Sequence, residues 1–189
     1  LDKKECTDAD VYFNSASAVH AAEPTAKSSF SMGNLSLNKG KFSASVDFYN
    51  QAISLAQTDE EKSKYLLGLS QANIKLGKLS SARDLAYQSS KLNPDWGKPY
   101  LLIGDMYLNS VKTCGTNAFE QGMVYSAAID KYIRAKNIDS SLSELCNKKI
   151  VLYSKYLPTN DDAFFSGAKD GDSFTIGCWM NETTKVRIK

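Results

Sequence analysis

Small, large apolar and polar positions follow one another in a phrase that the chain states twice between residues 28 and 96. The first statement runs Ser28-Ser29-Phe30-Ser31-Met32-Gly33, then Gly40-Lys41-Phe42-Ser43-Ala44-Ser45-Val46, then Tyr49, Ala52 and Ile53. The second runs Tyr65-Leu66-Leu67-Gly68-Leu69-Ser70, then Gly77-Lys78-Leu79-Ser80-Ser81-Ala82-Arg83, then Ala86, Ser89 and Leu92-Asn93-Pro94. Small residues stand where two helices must touch, and large apolar residues surround them. A Gly-Lys pair divides each half at the same offset. The pattern predicts two helical hairpins, each turning at its glycine.

Upstream, Thr7 or Asp10 is placed to cap a helix carrying Val11, Tyr12, Ala16 and Val19, which Pro24 stops. Its ending, Ala21-Ala22-Glu23-Pro24, is similar to Leu92-Asn93-Pro94, so residues 1–24 read as the second helix of a repeat whose partner lies upstream. The face near Tyr12 and Phe13 would then lack its cover. A start at Leu1 fits a processed or trimmed fragment that has lost a signal peptide from view.

Between the hairpins, Thr58 or Asp59 is positioned to accept the first free amides of the next helix. A third pair opens at Trp96-Gly97-Lys98-Pro99-Tyr100, with Pro99 in a first helical turn and Leu101, Leu102, Ile103, Gly104, Met106 and Tyr107 forming the apolar face. An inserted loop, 109–124, then replaces the short turn, with Phe119 and Met123 available to pin it. Tyr125, Ala127, Ala128, Ile129, Tyr132 and Ala135 resume the second helix. Leu142, Leu145, Ile150, Leu152, Tyr153 and Tyr156 predict a final helix ended by Pro158, the cap that the end of a stacked array needs. Asn160 or Asp161 begins a short helical turn that Gly167 ends. Phe174, Ile176, Cys178 and Met180, then Thr184, Val186 and Ile188, alternate at strand period around Asn181-Glu182. An isolated two-stranded hairpin is marginal in water, so it should lie on the last helices, with Phe164, Phe165 and Trp179 as anchors.

A period of about 34 residues, with a small residue mid-first-helix, Gly at the turn, Ala in the second helix and Pro at the close, resembles the tetratricopeptide repeat (TPR). The resemblance covers residues 26 to 139. It implies an all-α solenoid, a right-handed TPR superhelix of helical hairpins, here with a small C-terminal β-hairpin. The parts are a truncated upstream repeat (1–24), three repeats (26–59, 63–96 and 97–140), a capping helix (141–158) and a short helix with the hairpin tail (159–189). Ser45 where Ala is usual, Val111 in place of a turn Gly and Ser140 in place of the closing Pro depart from the pattern. The tail, with Tyr153-Ser154-Lys155-Tyr156-Leu157-Pro158, Ala163-Phe164-Phe165, Gly171-Asp172-Ser173-Phe174 and Gly177-Cys178-Trp179-Met180-Asn181-Glu182, resembles the C-terminal half of exported TPR proteins of Gram-negative gut anaerobes. That resemblance implies an exported, periplasmic or outer-membrane-associated protein.

In TPR arrays the first helix of each repeat lines a concave groove. The resemblance places Lys27, Phe30, Asn34, Leu37 and Asn38, then Lys64, Leu67, Gln71, Ile74 and Lys75, then Lys98, Leu101, Asp105, Leu108 and Asn109 on that face. Amide and Lys side chains there suit a peptide backbone or an acidic side chain, and Phe30, Leu67 and Leu101 offer apolar contact. The carboxylate clamp of chaperone-binding TPRs is not expected. Only Asn34 and Lys98 match it, and Phe30, Gly68 and Leu102 occupy its other sites.

Charge and composition narrow the remaining classes. The net charge of +2, with no block of Lys and Arg, gives no nucleic-acid footprint, and no apolar run approaches the roughly 20 residues that span a bilayer. Cys6, Cys114, Cys146 and Cys178 lack the C-x-x-C spacing of zinc or redox sites. In an exported protein one bridge is expected among Cys114, Cys146 and Cys178, with Cys146–Cys178 favoured, and Cys6 far away at the other end. Buried free thiols are the competing reading. His20 is the only histidine, so no His-based triad or multi-His metal site can form. Asp59-Glu60-Glu61 and Asp161-Asp162 read as helix caps, Gly167 to Gly171 lacks the spacing of a phosphate loop, and Asn181-Glu182-Thr183 matches a glycosylation sequon that a turn also explains. No cofactor or metal is expected. The expectation is a non-enzymatic interaction module for a peptide or protein partner. The alternatives are glycan binding through Trp96, Trp179 and the tyrosines, and a structural subunit docking through the hairpin or the N-terminal half-repeat.

Overall fold

The computed structural model describes residues 10–189, and the side chains of residues 10–13 and 19 are outside that description. The expectations for Thr7 and Cys6, and for the face near Tyr12 and Phe13, therefore fall outside the described residues. The chain forms two compact units, Leu1–Asn93 and Pro94–Lys189.

The first unit contains α1 (Asp10–Ala22), α2 (Ala26–Asn38), α3 (Phe42–Leu55), α4 (Asp59–Lys75) and α5 (Leu79–Leu92). Thr25 caps α2 in a reciprocal box with Ser28, and Thr58 caps α4 by accepting from the Glu61 amide. Helices α2 and α4 end in the same turn. Gly40 and Gly77 both have φ of 73°, a conformation that disfavours any side chain, and Lys41 and Lys78 donate backwards to the carbonyls of Ser36 and Asn73. The repeat is stretched between these turns because α4 has 17 residues against 13 in α2, roughly one extra helical turn at its capped start.

Antiparallel pairing of α2 with α3 and of α4 with α5 follows from small residues at the crossings. Tyr49 of α3 is fully buried, lying against Gly33 and Gly68, where a methyl group would come within 2.7 and 2.6 Å of its ring. Ser45 donates to the Gly33 carbonyl at 2.8 Å, which explains why Ser replaces the usual Ala. The second hairpin reverses the arrangement, with Ser70 on the first helix donating to the Ala82 carbonyl at 2.6 Å. Ser63 and Ser89 donate to each other's carbonyls at the far end of the same pair.

The second unit contains α6 (Lys98–Leu108), α7 (Val111–Cys114), α8 (Ala118–Ile138), a 3-10 turn (Ser140–Leu142), α9 (Ser143–Ser154), α10 (Asn160–Phe165), β1 (Ser173–Ile176) and β2 (Glu182–Lys185). Helices α6 and α8 repeat the tyrosine-on-glycine contact: Tyr132 is fully buried, and a methyl group at Gly104 would meet its ring at 2.6 Å.

Four expectations are corrected here. The segment 109–124 is not a loop, because α7 and an early start of α8 take up most of it. Asn117 caps α8 through the Glu120 amide, and Glu120 accepts from the Thr116 amide in return. The hairpin does not turn at Asn181-Glu182. Ile176 pairs with Glu182, and a five-residue loop, 177–181, joins the strands with Cys178 and Asn181 at positive φ. Phe164 and Phe165 are 78% and 85% exposed and anchor nothing, since α10 turns Ala163 inward instead. Finally, the bridge joins Cys114 to Cys178, with Cα atoms 5.4 Å apart, and not Cys146 to Cys178. The Cys178 loop lies beside α7, whereas Cys146 is a fully buried free thiol on α9, the helix that packs on α8.

The hairpin is held on α8, and on Tyr107 of α6, by side chains of β2 and by Arg187 just beyond it. Glu182 accepts from the Tyr107 hydroxyl at 2.6 Å and the Lys131 ammonium at 2.8 Å. Thr184 and Arg187 both bond Asp130, and Arg187 also donates to Ser126. Trp179, the one expected anchor that is engaged, donates to Ser110 at 3.1 Å with its ring 5.7 Å from that of Tyr107. Phe174 meets Phe119 edge-on.

Candidate interaction surface

The first helices of the hairpins are α2 and α4 in one unit and α6 in the other, and each unit presents its own surface. On α2 and α4, Lys27, Asn38, Lys64, Gln71 and Lys75 are exposed, while Phe30, Asn34, Leu37 and Ile74 are half-buried and Leu67 is buried. Phe30 reaches from α2 to α4, its ring 4.8 Å from Tyr65 and 5.8 Å from Tyr49. Lys64 is held by Glu60 at 2.7 Å on the exposed surface, a pair worth little in water.

Two of the expected groove residues have internal work. Asn34 accepts the Tyr49 hydroxyl at 2.7 Å. Asp105 accepts the Tyr132 hydroxyl at 2.6 Å and the Lys149 ammonium at 2.8 Å. In both cases the residue after the helix-contact glycine satisfies the hydroxyl of the tyrosine that lies on that glycine. Burial pushes Tyr49 up to about 12, against a smaller opposing hydrogen bond from Ser45. Burial also raises Tyr132, reinforced by the hydrogen bond and charge of Asp105.

On α6, Lys98 and Asn109 are exposed, and Leu101, Asp105 and Leu108 are half-buried. Lys98 lies 6.0 Å from the Trp96 ring centre. The Asp105–Lys149 ion pair joins α9, the expected capping helix, to α6. Lys149 belongs to α9, and Leu145 and Leu152 flank it at i−4 and i+3, as Leu101 and Leu108 flank Asp105 at the same offsets. Thus α9 acts as a further first helix, and its apolar spacing carried that signal. Behind this face Tyr132, Tyr153, Tyr125 and Tyr156 form a run of stacked rings, with successive centroids 6.4, 6.0 and 4.9 Å apart.

No family model and no curated protein matches the chain. Among solved structures, the one described as "Crystal structure of MamA" is similar at 15% identity and a TM-score of 0.49, over 77% of this chain and 84% of that one. No helix among the described residues is long and apolar enough to cross a membrane.

Proposed function

We propose that this chain is a non-enzymatic interaction module that holds an extended peptide or a partner protein on the first-helix faces of its hairpins, in a cell-envelope assembly. The observation that carries this reading is the mixed character of those faces. Apolar side chains that the fold leaves half exposed stand among exposed polar ones: Phe30, Leu37 and Ile74 with Gln71 and Lys75 in one unit, and Leu101 and Leu108 around Asp105 in the other. A purely solvated face would be polar throughout. An extended peptide needs hydrogen-bond donors and acceptors for its backbone with apolar contact between them. The Cys114–Cys178 bridge supports an oxidising location, as does the resemblance of the tail.

The test is a peptide screen with the full chain, followed by affinity measurements on variants. Gln71→Ala with Lys75→Glu is expected to weaken a hit about tenfold or more, and Gln88→Ala with Ser81→Glu on α5 to leave it unchanged. Equal loss from both pairs would sink the assignment to the first-helix face. Asn34 is avoided because its carbonyl serves Tyr49. Glycan stacking on Trp179 is disfavoured, since its ring is half-buried against Tyr107 and its N–H is taken by Ser110.

A further inference from the structure

Every described large hydrophobic side chain that stands exposed lies between Leu145 and Phe165, and four of the six belong to α9 or the turn that ends it. Helix α9 packs on α8, where Tyr153 stacks with Tyr132 and Tyr125, and its Lys149 reaches Asp105 of α6; no other described helix packs along its length. The other first helices, α2, α4 and α6, each have an antiparallel mate in α3, α5 and α8.

The open side of α9 carries a seam. Leu145, Lys148, Leu152 and Lys155 are spaced three, four and three apart, the a/d spacing of a coiled-coil contact, and Glu144 and Val151 border it on one side. Val151 is 76% exposed, Leu145 44% and Leu152 46%. The seam is polar in sequence order, with Glu144 at its start and Lys155 at its end. A parallel mate of the same sequence would set like charge beside like. An antiparallel mate sets Glu144 beside Lys155 of the other copy, and twofold symmetry makes the same pair a second time. It also lays Leu145 and Leu152 against the methylene stems of the facing lysines, whose ammonium groups stay in water. Glu144 bonds Lys148 at 2.6 Å within one copy, but both groups are largely exposed, so that bond yields cheaply.

We infer that the occupant of this face is a second copy of the chain, with two α9 helices pairing antiparallel about a twofold axis. The inference concerns α9 alone and does not depend on the reading of the α2, α4 and α6 faces. Twelve residues of helix are about 18 Å long, so the contact falls at the small end of specific interfaces. The association is reversible and micromolar.

Sedimentation velocity on the full chain from about 1 to about 200 µM follows it. A concentration-dependent dimer is expected. Glu144→Lys alone and Lys155→Glu alone should each raise the dissociation constant about tenfold or more, and the double exchange should bring it back to within about threefold of the parent. Both positions are on the surface, and unchanged circular dichroism verifies the fold of each variant. A chain that stays monomeric throughout, a dimer indifferent to the single exchanges, or a double exchange that fails to restore association overturns the inference.

Discussion

Tyr49 and Tyr132 lock two of the helical hairpins, each by lying on a glycine and handing its hydroxyl to the next residue along. Gly104→Ala places a methyl group 2.6 Å from the Tyr132 ring, and such overpacking costs about 1–3 kcal/mol, measurable by urea titration. The tyrosines also set an alkaline limit. The folded chain holds the Tyr49 proton up to about 12, while an unfolded tyrosine releases it near pH 10. The folded state therefore binds more protons in that window, so stability is full below about pH 10 and falls as pH rises toward 12. Tyr132 is shifted in the same direction. Tyr49→Phe should lose less stability than the parent between those two pH values. An identical alkaline loss in the variant would remove Tyr49 from the explanation.

At the scale of elements, the C-terminal hairpin is held by half-buried polar links and one covalent bond. The bridge spans 64 positions, a loop long enough for its closure to stabilise the fold by about 4 kcal/mol on the chain-entropy model. Reduction should lower the stability of the full chain by about 2–4 kcal/mol and speed amide exchange in β1 and β2 before α8. Asp130→Ala removes an acceptor shared by Thr184 and Arg187, leaving them Ser126, and a cost of about 1–3 kcal/mol is expected in the same titration. The existence of the hairpin was legible from its alternation, but its turn and bridge were not. Strand period continues through Gly177 and Cys178, yet the chain leaves the ladder there because Cys178 must reach Cys114 beside α7. Nothing in the spacing of three cysteines chooses between partners that only the path of the chain brings together. The early start of α8 was legible in principle: Asn117 with Glu120 three residues on is a capping signature, outweighed by the loop-like Cys114-Gly115-Thr116.

For the molecule, the hairpin plan of helices could be read because each crossing demands a small residue and the two short turns, at Gly40 and Gly77, a glycine. Gly33, Ser45, Ser70, Ala82 and Gly104 stand at those crossings. The surface was less legible. Asn34 and Asp105 look like ligand contacts in sequence and serve buried tyrosines in the fold, and Lys149 on α9 comes into view only through its ion pair with Asp105. The second unit, residues 94–189, has its own buried centre around Tyr107, Met123, Tyr132 and Met180. Produced alone and oxidised, it should fold with a cooperative thermal transition.

The proposal stands or falls on whether partners meet the faces of α2, α4 and α6. Photo-crosslinking the full chain in its native extract tests it most directly, with the reactive group placed in turn at Gln71 and Lys98 on first helices and at Gln88 on α5. A partner captured from Gln71, from Lys98 or from both, and not from Gln88, is expected. Capture of that partner from Gln88 alone would contradict it.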